Sequence, residues 1–210
     1  MKRAFYMKTR KRVPGDEKNS YLDKIGGVPT HKPSEFPIYF DDVRHGFLMQ
    51  IYCDKERFPD IEGVLCWQIY QHVSEQDSPI IIEVPVGAEL NSNNEGTSIN
   101  RLKERIIYYE EGMEPDVLEV GIGIYPEEEE LKYYSSKIGG AVPEEFIDCD
   151  YEYIGTIFED VPVEYELNFG IEALNLVRNR DGKMELWTTV NRLDTQNREN
   201  YAASRYIRSY

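Results

Sequence analysis

The chain has 210 residues and a formal net charge of −15, from 39 acids against 24 bases, an excess that argues against a nucleic-acid or anionic-membrane surface. Its 40% hydrophobic fraction, with sixteen Tyr, eight Phe and two Trp, can bury a core, which excludes wholesale disorder. No apolar run reaches the length of a membrane span, and the three irregularly spaced cysteines, Cys53, Cys66 and Cys149, exclude a disulfide framework and a Cys-x-x-Cys zinc site.

In chain order, the first twelve residues hold six bases and no acid. Their partial alternation in RAFYMKTRKRV reads as a first strand or a mobile arm. The N-terminus lacks the apolar stretch of a secretory signal, so a cytoplasmic protein is expected. A Pro-rich stretch, 28–37, must be irregular or extended. Phe47–Tyr52, FLMQIY, and Val64–Tyr70, VLCWQIY, are rich in aromatic and branched residues and read as buried strands. Ser78–Val86 gives a third strand. In SINRLKERIIYYEE, Ile99, Leu102, Ile106 and Tyr109 recur at three- and four-residue intervals, which predicts a helix ended by Gly112. Leu118–Tyr125 is strand-like, and PEEEE follows as a solvated turn or helix start. Tyr153–Phe158 and Gly170–Val177 read as strands. Asp181-Gly182 then marks a hairpin into Met184–Val190. The last twenty residues are polar.

One tetrapeptide occurs twice. Lys24-Ile25-Gly26-Gly27 and Lys137-Ile138-Gly139-Gly140 lie 113 positions apart, each followed by a Pro, an apolar strand, a Gly and a second strand. The offset is 106 from Phe47 to Tyr153 and 107 from Gly63 to Gly170, so order and spacing survive with loop-sized adjustments. Tyr21 and Tyr134 also correspond. Paired glycines suit a turn that needs positive φ or close backbone approach. They lack the spacing of a phosphate-cradling loop, and no helix pattern follows them. Gly26, Gly27, Gly139 and Gly140 are therefore read as structural turns in two copies of one unit.

These residues carry a resemblance. Asp23 or Ser136 before Lys-Ile-Gly-Gly and a Pro, then a strand bearing Gln50, then Gly63-Val64-Leu65 with aromatics, resembles the YwqG-like bacterial proteins. That family is more distantly similar to the programmed-cell-death-two-like domain of eukaryotes. The chain departs from the pattern in lacking a Trp after the first Gly-Gly-x-Pro. It also has Thr156 where a Gln would recur and Phe169-Gly170 in place of Gly-Asp-x-Gly. The resemblance implies an α+β fold, a cytoplasmic location and protein-binding roles, and supplies no catalytic residues. Eukaryotic relatives resemble escorts of a basic ribosomal protein, and some bacterial relatives lie beside toxin genes as immunity proteins. The fold expected is predominantly antiparallel β, two pseudo-repeated halves packed as one domain with few helices. A basic strand or arm occupies 1–20. The domain spans 21–190, with half-repeats at about 21–86 and 134–190 around a helix-containing insert, 87–133. A polar tail covers 191–210.

The search for chemistry yields little. His31, His45 and His72 form no metal-binding pair. Asp41, Asp42 and His45 could ligate a metal but read more simply as surface polar residues. Asp148, Asp150 and Glu152 alternate, which would set three carboxylates on one side of a strand. Hard cations favour such oxygens, yet the glycine and terminal Glu of an EF-hand are missing, and a solvated edge is the simpler reading. No nucleophile elbow occurs, and Cys53 and Cys66 lie in or beside apolar strands where thiols react poorly. No metal site or cofactor is expected.

The acids concentrate over Glu110–Glu166, where eighteen face only Lys132 and Lys137. This points to a non-catalytic module that binds a basic protein through Glu110, Glu111, Glu114, Glu127, Glu128, Glu129, Glu130, Asp148, Asp150 and Glu152. The most specific version is an acidic immunity protein neutralising a basic toxin domain. The alternatives are an escort of a basic ribosomal-type protein, or an enzyme with an unrecognised carboxylate site.

Overall fold

The computed structural model of the chain describes residues 1–17, 21–37, 45–71, 79–96, 102–118, 135–147, 149–158 and 173–189. The structure is mostly antiparallel β. In chain order the strands are β1 (Lys2–Arg10), β2 (Lys24–Ile25), β3 (Gly46–Tyr52), β4 (Val64–Gln71), β5 (Ile80–Pro85) and β6 (Arg105–Glu114). Then come β7 (Val117–Leu118), β8 (Lys137–Gly139), β9 (Val142–Pro143), β10 (Glu152–Phe158), β11 (Ala173–Arg178) and β12 (Met184–Thr189). Among the described residues, the helical content is one 3-10 turn, Glu144–Phe146. Two compact units divide the chain: Lys8–Tyr108, called here the first unit, and Met1–Met7 with Tyr109–Tyr210, the second. The boundary falls within β1 and within β6 rather than in the loops around them.

In the first unit the strand order is β6–β2–β3–β4–β5, every neighbour antiparallel. Phe47–Tyr52 and Cys66–Gln71 are buried along their whole length. Both faces of these central strands are covered, which is why they read as unbroken apolar runs. Successive residues still alternate between faces. One row across the sheet is polar: Lys24 lies opposite Gln50, and Gln50 opposite Gln68. The next row is Ile25, Met49, Ile69 and Ile81. Trp67, Phe47 and Tyr70 are fully buried, with Phe58 stacked edge-on against Trp67 at 4.6 Å.

In the second unit the order is β12–β11–β10–β8–β1, again antiparallel throughout. Here Lys137 lies opposite Thr156, and Thr156 opposite Asn175. The neighbouring row is Ile138, Gly155, Leu176 and Leu186. Gly155 is needed for packing, because a Cβ there would lie 3.1 Å from Ile138 Cα. The β11–β12 hairpin turns at Gly182, with φ of 81°. A short parallel pair, β7 with β9, matches Val117 to Val142.

The helix expected around Ile99–Glu111 is overturned from residue 105 onward, where the chain forms β6 and carries Gly112 inside it. A helical stripe would set Leu102, Ile106 and Tyr109 on one face, but consecutive Ile106 and Ile107 are both buried. Ile and Tyr in sequence suit a pleated surface. The deciding contribution is tertiary: the two-residue β2 needs a second neighbour, and Lys24 pairs with Ile106, Ile25 with Arg105. Residues 97–101 of the expected helix lie outside the described residues, as do 119–125 of the strand expected over Leu118–Tyr125. The basic N-terminus is a strand, with Ala4–Met7 buried.

Candidate functional site

Each unit contains one Lys-Ile-Gly-Gly turn, and the two turns share local geometry. Gly26 and Gly27 have φ of 68° and 75°, Gly139 and Gly140 of 70° and 82°, a region that residues with a Cβ avoid. Close approach adds a second constraint. A Cβ on Gly26 would lie 2.7 Å from the Leu102 carbonyl oxygen, and one on Gly139 2.7 Å from that of Arg3. The second glycine of each pair donates its N–H to the same carbonyl, Gly27 to Leu102 at 3.0 Å and Gly140 to Arg3 at 2.9 Å. Residues preceding the lysines also act alike. The Asp23 carboxylate accepts the Tyr52 N–H at 2.6 Å, and the Ser136 hydroxyl accepts that of Phe158 at 2.8 Å.

The lysine of each turn is buried and ion-paired. Lys137 Nζ donates to Glu114 Oε2 at 2.7 Å. That carboxylate also accepts the Tyr6 hydroxyl at 2.6 Å and the Ala141 N–H at 2.7 Å. Both Lys137 and Glu114 are sealed from solvent. Burial pushes the Lys137 amine down, against the upward pull of Glu114. Lys24 Nζ instead donates to Glu104 at 3.0 Å, a carboxylate 26% exposed and shared with Arg12 at 2.7 Å. Burial works against ionisation of Glu104, but the Arg12 hydrogen bond and the Lys24 charge outweigh it and hold the carboxyl below its ordinary value. The ends of β6 thus serve both turns, Glu104 just before it and Glu114 as its last residue.

Along the polar row of the first unit, Gln50 and Gln68 both donate and accept hydrogen bonds. Gln50 accepts the Thr30 N–H and donates to the Leu22 carbonyl and Thr30 hydroxyl. Gln68 donates to the His31 carbonyl and accepts from the Tyr70 hydroxyl at 2.6 Å. His31 Nδ1 meets the Tyr52 hydroxyl at 2.9 Å, and burial followed by the Lys24 charge lowers its pKa. Arg57 clamps the adjoining loop by pairing with Asp23 and Asp54 and donating to the Tyr52 carbonyl at 3.0 Å. In the second unit, the Thr156 hydroxyl donates to Asn175 at 2.8 Å and meets the Tyr153 hydroxyl at 2.6 Å. Such rows hold strands in register.

Comparison with protein-family models, curated proteins and solved structures finds no match.

The acids singled out by sequence separate into three groups. Glu114 is corrected: it is fully buried as the counterion of Lys137 and is no part of a surface. Glu110, Glu111, Asp150 and Glu152 are exposed. Of these, Glu111 pairs with Arg3 at 2.8 Å, Glu152 accepts Arg178 Nε at 2.7 Å, and Asp150 pairs with Arg180. Glu127, Glu128, Glu129, Glu130 and Asp148 lie outside the described residues, as do Asp41, Asp42 and His72. His45 is buried. Among the described residues, no three His, Cys, Asp or Glu side chains gather as metal ligands, and no helix is long and apolar enough to cross a membrane. The cysteines are free. Burial raises the Cys53 pKa and pushes that of Cys66 up to about 12, which leaves both thiols poorly nucleophilic at neutral pH.

Sequence reasoning missed Glu104, Arg12 and Arg57. The signal available for Arg12 and Glu104 was weak, a base in the N-terminal run and an acid inside a supposed helix. Nothing local links either to Lys24, 80 residues from Glu104.

Proposed function

We propose that the chain is a non-catalytic, cytoplasmic protein-binding module, most specifically an acidic immunity protein that neutralises a basic toxin domain. The observation that carries this reading is how the bases are used. Arg3, Arg10, Arg12, Lys24, Arg57, Lys137, Arg178 and Arg180 each meet a carboxylate of their own unit. Pairing consumes charges of both signs together, so the net −15 is left to solvent, counterions or a partner. A positively charged partner is drawn by that field, and electrostatic steering raises association rates to about 10⁸–10⁹ per molar per second at low salt. Inhibition of a lethal enzyme benefits from such speed.

The reading also rests on the resemblance to YwqG-like proteins and on two copies of one structural unit. The rows Lys24–Gln50–Gln68 and Lys137–Thr156–Asn175 support the duplication. So do the paired positions Asp23 and Ser136, Tyr52 and Phe158. Thr156 stands where the first copy has Gln50.

The test is affinity capture from the source organism at low and high salt, followed by association kinetics with the recovered protein. A basic partner whose association slows several-fold on charge reversal of Glu127 to Glu130 is the expected result. A partner with no basic surface, bound at a rate indifferent to salt and to those substitutions, would sink the proposal.

A further inference from the structure

Exposed apolar residues scattered singly over a surface carry no message, whereas a contiguous group does. The first unit has such a group. Tyr21 is 66% exposed, Val86 67% and Leu90 42%. Tyr21 and Leu90 converge on His31. The Tyr21 ring lies 5.3 Å from that of Tyr52 and 5.4 Å from that of His31. Leu90 bridges to His31 in antiparallel register, so the two side chains share a face. Half-buried Ala88, two residues before Leu90, packs against the cluster of Tyr52, Cys66 and Val84. Tyr52 is therefore the floor, and Tyr21, Ala88 and Leu90 stand around it.

The floor is stiff, because the Tyr52 hydroxyl is tied to His31 and its N–H to Asp23. Tyr21 is held by two ring contacts while leaving most of its surface to solvent. Ordered, exposed tyrosines are frequent binding hot spots, since little rotamer freedom remains to be lost on docking. An acid lies within the patch: Glu89 is exposed between Ala88 and Leu90, and Lys32, whose N–H donates to the Glu89 carbonyl at 2.9 Å, is turned to Glu95 by an ion pair at 3.0 Å.

We infer that Tyr21, Ala88 and Leu90 form a docking surface for an extended basic protein segment carrying an apolar anchor. A Lys or Arg of that segment lies over the Tyr21 ring and beside Glu89. Its apolar neighbour covers Ala88 and Leu90. This rests on the proposed reading that the partner is basic, and adds where and how it is seized.

The probes are three labelled dodecapeptides of alternating Lys-Leu, Lys-Ser and Glu-Leu, titrated into the full chain by fluorescence anisotropy. Lys-Leu is expected to bind tightest, and Tyr21→Ser with Leu90→Ser to weaken it at least about tenfold, with the circular dichroism unchanged. Equal Lys-Leu binding by parent and double variant overturns the docking surface while leaving the basic-partner reading intact. Failure of both lysine peptides to bind overturns that reading as well. A dimer in sedimentation that Leu90→Asp dissociates assigns the surface to a second copy of the chain and overturns the proposal.

Discussion

The two Lys-Ile-Gly-Gly turns have nearly the same backbone and opposite electrostatic settings. Lys137 meets a carboxylate sealed from water and saturated by Tyr6 and Ala141. Lys24 meets one that is partly in water and also serves Arg12. A desolvated ion pair must satisfy every donor and acceptor internally, because no water replaces a lost partner. A half-exposed pair keeps the solvent as a substitute. What is repeated in the chain is therefore a backbone turn with a buried lysine, and each unit neutralises that lysine by its own means.

The contrast breaks most visibly at Lys137. Lys137→Met leaves Glu114 charged and buried, and is expected to cost about 3–5 kcal/mol of stability in urea unfolding. Adding Glu114→Leu to that variant removes the orphaned charge but also takes the acceptor from the Tyr6 hydroxyl and the Ala141 N–H, so the loss is restored only in part. Lys24→Met is expected to cost less than Lys137→Met, since Glu104 retains Arg12 and water. Equal losses at the two lysines would show that the difference in burial has no energetic meaning.

The next effect separates close approach from backbone conformation. Gly140→Ala places a Cβ against Glu114 Oε2 and 3.0 Å from Ala4 Cβ, at a φ of 82°. Gly63→Ala has a φ of 75° but nothing within 4 Å of the added atom. Strain of this kind costs about 1–3 kcal/mol, so Gly63→Ala falls within that range and Gly140→Ala beyond it. A common value for both substitutions would assign the whole effect to φ.

The strands and the turns were legible because their determinants are local. FLMQIY and VLCWQIY are runs that only a sheet covered on both faces accommodates, and Gly-Gly before a strand needs a special backbone. The error over Arg105–Glu114 has the opposite cause. Ile106 and Tyr109 satisfy a helical period as well as a pleat, and what selects the strand is β2, some 80 residues earlier. Separation in sequence also hid the sites: Glu114 resembles its exposed neighbours Glu110 and Glu111 until Lys137, 23 residues later, is brought beside it. The patch of Tyr21 and Leu90 was illegible for the same reason, since a bridge from His31 to Leu90 assembles it.

The smaller effects sharpen the comparison through solvent. Glu104 has a depressed folded-state pKa, so its pairing stabilises the fold above the ordinary carboxyl range and is lost as pH falls through the folded value. Arg12→Gln raises that folded value toward the ordinary one and is expected to weaken the fold near neutral pH while flattening its loss in acid. An acid limb of the same slope in Arg12→Gln would place the titrating group elsewhere. Weakest of all is the exposed edge of the second unit. Arg180→Ala removes the partner of Asp150, where both side chains are mostly in water, and is expected to change stability by under about 1 kcal/mol. Its consequence lies in binding. The substitution leaves the local field more negative, so the Lys-Ser peptide is expected to associate faster at low salt, with the gain disappearing as salt screens it. An association rate that stays at the parent value would show that the acids of this edge do not contribute to steering.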